Sequence, residues 1–159
     1  MIIDIYRKSV FNYSTTMSAD KISENIDNSL LFQLKKDIGN KCINEGYIDK
    51  DSIQILKRSI GKINSSHLNG SVNFDIEYTA NVCNPREGDI VSCKVLDINT
   101  MGLLTESSPL TIVLPRDHHT DDPNFKEVSI GDDIRVSIIG SRFDLYDTQI
   151  TAIGKLVSN

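Results

Sequence analysis

The sequence predicts an α+β chain of two modules, a small β-α-β-β unit followed by an all-strand barrel. Three observations carry this. One helix-period apolar stripe lies in the first half, from Ile22 to Ile38. A strict apolar/polar alternation crosses residues 72–79. After Pro85 the apolar segments are short and bounded by turn residues, with one long connection after the third. Helix and strand periods separate the two kinds of element, and five short strands with a long third connection are the pattern of an OB fold, a partly open Greek-key barrel.

Each element has a local justification. "MIIDIYRKSVFNYS" reads as a strand because it is rich in β-branched and aromatic residues. Ile22, Ile26, Leu30, Leu31, Leu34 and Ile38 form a helix stripe. Ser18 or Asp20 is expected to cap it, Lys35 and Lys36 suit the negative end of its dipole, and Gly39 is expected to stop it. "DSIQIL" is expected to pair with the alternating strand, which presents Val72, Phe74, Ile76 and Tyr78 on one face. Asn69-Gly70 before that strand is a tight-turn signal, since both tolerate positive φ. Between them "KRSIGKINSSHL" shows no clear period and reads as a long basic loop.

"CNPREGD" marks the boundary, because Pro85 cannot donate to a central ladder and Gly88-Asp89 suits a turn. The expected domains are therefore 1–83 and 84–159. The expected barrel strands are "IVSCKVLDI", "MGLLTES", "LTIVLP", "DIRVSIIG" and "QITAIGKLV". Turns are expected at Asn99-Thr100, Ser107-Ser108-Pro109 and Gly140-Ser141, which places Arg142 at a hairpin corner. Gly102 and Gly154 fall where a barrel bends sharply or backbones approach closely.

Composition narrows the function classes. Hydrophobic residues make up 39% and charged residues 25%, the balance of a folded soluble chain. No apolar stretch approaches the roughly 20 residues of a membrane span, and "MIIDIYRKS" lacks the layout of a signal peptide. Cys42, Cys83 and Cys93 are widely spaced and form no C-x-x-C pair, which suits free thiols in a reducing compartment. The net charge of -5 is uneven. Residues 1–79 hold ten basic and ten acidic side chains, whereas residues 80–159 hold seven and twelve. Affinity for nucleic acid comes largely from Lys and Arg displacing counterions, so the acidic half is expected to bind RNA weakly.

Four passages, in one collinear order over about residues 20–157, resemble a known family. They are "LKKDIGNKCINEGYI", "FDIEYTANVCNPREGDIVSCKV", "INTMGLLTESSPLTIVLPRDH" and the closing "DDIRVSIIGSRFDLYDTQITAIGKL". Together they look like the stalk subunit of multisubunit DNA-directed RNA polymerases, that is, the seventh-largest subunit of eukaryotic RNA polymerase II and its archaeal counterpart. The resemblance implies an N-terminal tip domain of ribonucleoprotein-like fold and a C-terminal OB barrel. It also implies a non-catalytic role: the tip docks on the polymerase core near the clamp, assisting initiation, and the barrel faces emerging single-stranded RNA. The implied partners are the large polymerase subunits, with a second small stalk subunit alongside in that family. Richness in Ile, Asn, Asp, Lys and Ser with no Trp suits an AT-rich genome, such as that of a large DNA virus. The implied location is the site of transcription: host cytoplasm or virion for a virus, nucleus for a eukaryote. The alternative reading is a free-standing OB-fold RNA-binding or translation factor.

Candidate residues follow. His118 and His119 near Asp117, Asp121 and Asp122 lack the spacing of a metal site, for zinc wants about four ligands in set positions; they read as a solvated loop, with no metal or cofactor. No phosphate-cradling glycine loop or nucleophile–base motif is present, so no catalytic residue is assigned. Single-strand binding by an OB fold needs a basic groove and aromatic platforms. The candidates here are Lys94, Arg116, His118, Arg142 and Phe143; Phe125 and Tyr146 are expected in or beside loops, and Leu103 and Leu104 stand where related stalk subunits often carry phenylalanine. Arg135 and Lys155 read as solvating groups on outer strand faces. For Arg116 and Arg142 a rim contact to RNA and plain solvation remain equally open. Core docking is expected at Lys57, Arg58, Ile60, Lys62 and Ile63, a mix of charge and apolar anchors that suits a protein interface.

Overall fold

The computed structural model describes residues 5–22, 25–63 and 70–157. The chain divides into two compact units. One comprises Lys8–Asn40 and Ile48–Val82; the other comprises Met1–Arg7, Lys41–Tyr47 and Cys83–Asn159.

In the first unit, β6 (Val72–Cys83) is the central strand, flanked by β1 (Tyr6–Met17) on one side. Ser14 Oγ donates to Asp75 at 2.6 Å, Thr16 Oγ1 donates to Asn73 at 2.6 Å, and the Phe11 and Tyr78 rings sit 5.6 Å apart. These three pairs share one antiparallel register along β1. On the other side β4 (Gln54–Arg58) and the two-residue β5 (Lys62–Ile63) pair antiparallel with β6. A bulge at Leu56 shifts the register, so that Ile55 opposes Tyr78 while Lys57 opposes Glu77. The segment expected to be a basic loop thus contributes strand residues at Lys57–Arg58 and Lys62–Ile63. Its strands are too short, and one is bulged, so no period of two is visible in the sequence. Residues 64–68 of that segment and Asn69 lie outside the described residues; Gly70 has φ +75°.

Helix α1 (Ile26–Ile38) buries Leu30, Leu34 and Ile38. Phe74, Ile76, Tyr78, Ile48, Ile53 and Met17 are the other large buried apolar groups of this unit. The cap differs from expectation. Asn25, not Ser18 or Asp20, accepts from the Asn28 amide at 3.2 Å. Ser18 instead precedes a single 3-10 turn, Ala19–Lys21, and Ile22 follows in extended backbone. Ile22 continues the four-residue spacing without being helical, because spacing alone does not mark where the first backbone amide finds a side-chain acceptor.

The second unit holds a closed five-stranded barrel, built from β7 (Ile90–Asn99), β8 (Gly102–Ser107), β9 (Leu110–Pro115), β10 (Asp133–Arg142) and β11 (Ile150–Leu156), in the order β10-β11-β9-β8-β7. β9 and β11 pair in parallel and the other pairs are antiparallel. This is the OB connectivity, and with the first unit it makes the chain the α+β tip-plus-barrel architecture expected from the sequence. Val91, Cys93, Leu103, Ile112, Leu114, Val136, Ile138, Ile150 and Ala152 fill the interior, joined by Cys42 from the short hairpin of β2 (Cys42–Ile43) and β3 (Gly46–Ile48), and by Cys83. At Gly154 a β-carbon would collide with the Val136 side chain, so only glycine lets β10 and β11 close there.

Two expectations fail in this unit. Gly140 and Ser141 are not a turn. They continue β10 and pair with Ile153 and Ala152, after a register shift at Ile139. The bulge resets the alternation, and the resulting "IIGSR" mimics a turn signal in the sequence. The β10–β11 turn falls instead at residues 143–149. The long third connection is also ordered rather than an open loop: a 3-10 turn, Arg116–His119, leads to the short helix α2 (Pro123–Glu127), capped by Asp122.

Candidate docking and nucleic-acid surfaces

The docking candidates share one region of the first unit. Lys57 and Arg58 end β4, and Lys62 and Ile63 form β5. All four are exposed, and Ile60 between them is 86% exposed, with Ile63 at 79%. Leu56 at the bulge adds a third exposed aliphatic group at 51%. Ile55, Leu56, Lys57, Arg58, Ile60 and Asp27 line a shallow depression of about 510 Å³. Arg58 is partly committed, since its Nε donates to Asp27 of α1. Three large aliphatic side chains held in water beside Lys57 and Lys62 are a costly surface for an isolated chain. Leu56 could have been found only by seeing the bulge that turns it outward.

The RNA candidates are more scattered. Lys94 is exposed on β7 but lies opposite Glu106 on β8 and Asp133 on β10. Directly opposed residues share a sheet face, so Lys94 has a carboxylate neighbour on each side. Arg116 is exposed, and its Nη2 donates to the Asn99 carbonyl at 2.8 Å. Asn99 Oδ1 in turn accepts from the Met101 and Gly102 amides. Arg116 therefore tethers the β7–β8 turn as well as charging the rim. His118 is exposed beside it. Arg142 is not at a hairpin corner; it closes β10 opposite Thr151, and remains exposed. Phe143 is half-buried against the barrel core rather than offered as a platform.

The corner itself is acidic. Asp144 and Asp147 cross-brace the turn, with the Asp144 amide donating to the Asp147 carboxylate at 2.8 Å. Tyr146, 55% exposed at φ 67°, stands between them with Lys41 Nζ 6.0 Å from its ring centre. Its amide donates to the Cys42 carbonyl at 2.7 Å, and the Cys42 amide donates to the Asp147 carbonyl at 2.7 Å. Phe125 is buried in α2, not in a loop.

His119, expected in a solvated loop, is instead 2% exposed. Its ring stacks on Phe125 at 4.3 Å. Nδ1 lies 2.7 Å from the Pro115 carbonyl, and Nε2 accepts from the Leu156 amide at 2.9 Å. These partners require a neutral ring protonated at Nδ1. His119 thus joins the third connection to the end of β11, a role invisible in an "HH" flanked by acids. Among the described residues no three His, Cys, Asp or Glu side chains are grouped to hold a metal ion. The three cysteines are buried thiols outside any disulfide. Burial, reinforced by the charge of Asp147, pushes the Cys42 thiol up to about 11, and burial likewise raises that of Cys93. Neither is an activated nucleophile. No helix among the described residues is long and apolar enough to cross a membrane.

No family model matches the chain. Curated proteins do. A protein named as DNA-directed RNA polymerase subunit L376 of Acanthamoeba polyphaga mimivirus is 24% identical, over 91% of this chain and 82% of its own length. DNA-directed RNA polymerase II subunit RPB7 of Glycine max is 26% identical over 83% of this chain and 81% of its own. The rpb7 subunit of Dictyostelium discoideum is 28% identical over 62% and 63% respectively. These are the relatives that the four sequence passages point to. The chain is a homologue of DNA-directed RNA polymerase subunits of viral and eukaryotic origin.

Proposed function

We propose that this chain is a non-catalytic stalk subunit that docks on its polymerase through the first unit and offers the barrel to emerging RNA. The observation that carries the reading is collinear similarity to polymerase subunits over most of the chain, which includes both units. The docking half of the proposal rests on Ile60, Ile63, Lys57, Arg58 and Lys62. Burying two exposed isoleucines contributes about 1.5–3 kcal/mol each, and the neighbouring cations favour an acidic rim on the receiving surface. Catalysis then belongs to the large subunits, and the chain works wherever that polymerase transcribes.

The RNA half is modest by construction. Arg116, His118 and Arg142 supply scattered charge on an acidic unit, and Tyr146 is the one strongly exposed aromatic of the barrel unit among the described residues. The isolated chain should therefore bind short single-stranded RNA weakly and lose it as salt rises. A dissociation constant below about 10⁻⁸ M at physiological salt, the range of specific binders, contradicts this.

Affinity purification of the tagged chain with mass spectrometry tests the assembly: the large polymerase subunits should co-purify. Ribosomes or free RNA in their place would favour a free-standing OB-fold factor. Replacing Ile60 and Lys62 together by aspartate and glutamate should abolish recovery of the large subunits while leaving the chain folded. Unchanged recovery removes the docking surface without touching the polymerase reading.

A further inference from the structure

We propose that the outer edge of β1 receives an extended segment of a different polypeptide, which adds to the sheet as a further strand. Two independent features of the first unit meet there. β1 runs twelve residues, pairs with β6 on one side, and has no strand on its other side among the described residues. Protective devices are few along its length: β1 contains no proline and no glycine, and its two charges, Arg7 and Lys8, both stand at its N-terminal end. Proteins normally shorten, bulge or charge such an edge, because its free amides and carbonyls template pairing with another chain.

The second feature is a groove beside the C-terminal end of that edge. Met17, Lys21, Asn28, Phe32, Gln33 and Lys36 line about 440 Å³ between the strand end and one flank of α1. Phe32 is 72% exposed, on the helix flank away from the Leu30, Leu34 and Ile38 stripe. A strand laid on β1 would send alternate side chains toward the α1 side of the sheet. Near Met17 those side chains would enter the groove and cover Phe32. Backbone pairing along an edge with pockets for alternate residues is the physics of strand addition.

Charge selects the occupant. Lys21 and Lys36 flank the groove at one end of β1, and Lys8 stands at the other. A second copy pairing antiparallel would bring its Lys8 against Lys21, a like-charge contact at both ends. A different chain with apolar residues at alternate positions and carboxylates at the end reaching the groove meets no such repulsion. This inference stands on β1 and α1 alone and does not depend on the polymerase reading.

The test uses the isotopically labelled full chain and a ten-residue probe peptide alternating valine and threonine, with two glutamates at one end. Amide shifts confined to β1 and the Phe32 side of α1 are expected on titration. A probe ending in lysines should bind at least about fivefold more weakly, the scale of one or two exposed ion pairs. Phe32→Glu should keep the fold, since the ring is mostly in solvent, and weaken the glutamate probe, with Phe32→Leu restoring it. Absence of β1 shifts at millimolar probe, or equal binding of the two probes, overturns the proposal. So does concentration-dependent dimerisation of the chain alone through β1, which would make a second copy the occupant.

Discussion

Replacing His119 by alanine tests how the third connection of the barrel is held. The ring is 2% exposed, stacks on Phe125 at 4.3 Å, and bridges the Pro115 carbonyl to the Leu156 amide. Removing the stack costs about 0.5–1.5 kcal/mol. Leaving the Leu156 amide, held in a partly buried position, without an acceptor costs about 1–3 kcal/mol. Together the expected loss is about 3 kcal/mol, or a fall of about 6–12 °C in Tm for a chain of this length. Urea unfolding measures the loss, and hydrogen exchange at the Leu156 amide localises it. His119→Gln can still donate to Pro115 and accept from Leu156, so it should lose only the stacking part, about 1 kcal/mol. If His119→Ala lies within about 0.5 kcal/mol of the native chain, as a surface substitution would, the bridge does not hold the barrel. If glutamine costs as much as alanine, packing rather than hydrogen bonding explains the site.

Three further outcomes follow from the geometry. Gly154→Ala forces a β-carbon into Val136 and should destabilise by about 1–3 kcal/mol, part of which Val136→Ala should restore, as judged by urea midpoints. Cys42, whose thiol is raised from 9.0 to about 11 by burial, contributes stability that is complete below pH 9 and lost as the pH climbs to about 11, because the unfolded thiol ionises first. The difference between native and Cys42→Ala stability curves should show that decline, and a flat difference refutes it. Lys94→Ala should leave RNA affinity within about twofold, because Glu106 and Asp133 beside it repel phosphate, whereas Arg142→Ala should weaken binding and reduce the salt slope by about one phosphate contact. Equal effects of the two in fluorescence anisotropy would sink this distinction.

Much of the fold was legible because the local and global signals agree. β9 spans Leu110–Pro115, the run "LTIVLP" read from the sequence, since alternation and flanking turn residues mark both ends. Gly154 could be assigned to a close approach because a glycine weakens a β-branched run unless a neighbouring backbone or side chain needs the space. The failures share one physical origin: features set by a neighbouring strand or helix leave no periodic trace. The bulge at Ile139 made Gly140-Ser141 look like a turn, and the bulge at Leu56 hid the end of the strand expected in "DSIQIL" and an exposed leucine. His119 looks like half of a solvated pair until the barrel brings Leu156 to its ring. Among the candidate site residues, exposure of Ile60, Ile63 and the basic groups could be read from their polar context. The acids that face Lys94 and the carbonyl that engages Arg116 come from other strands and turns.

These pairings bear on what each unit is fitted to do. Ribonucleoprotein-type sheets read RNA by stacking bases on aromatic side chains of the open face. Here the open face of β1 and β6 carries Asn12, Ser14, Thr16, Asn73, Asp75 and Glu77, several of them hydrogen-bonded to one another across the strands. Lys57 and Lys62 stand on the same face, opposite Glu77 and Asn73, so the tip unit offers cations there but, among these residues, no aromatic ring on which a base could stack. Its apolar exposure, by contrast, is concentrated at Leu56, Ile60 and Ile63 and again at Phe32. In the barrel unit the outer row Leu104, Val113 and Ile153 is half exposed or less, the more exposed Met101, Ile130 and Leu145 stand singly in turns, and the net charge is negative. On the proposed docking, affinity would come from protein contacts made by the first unit. RNA passing the barrel would then be held by proximity, because tethering raises the local concentration of two weak partners without a new contact.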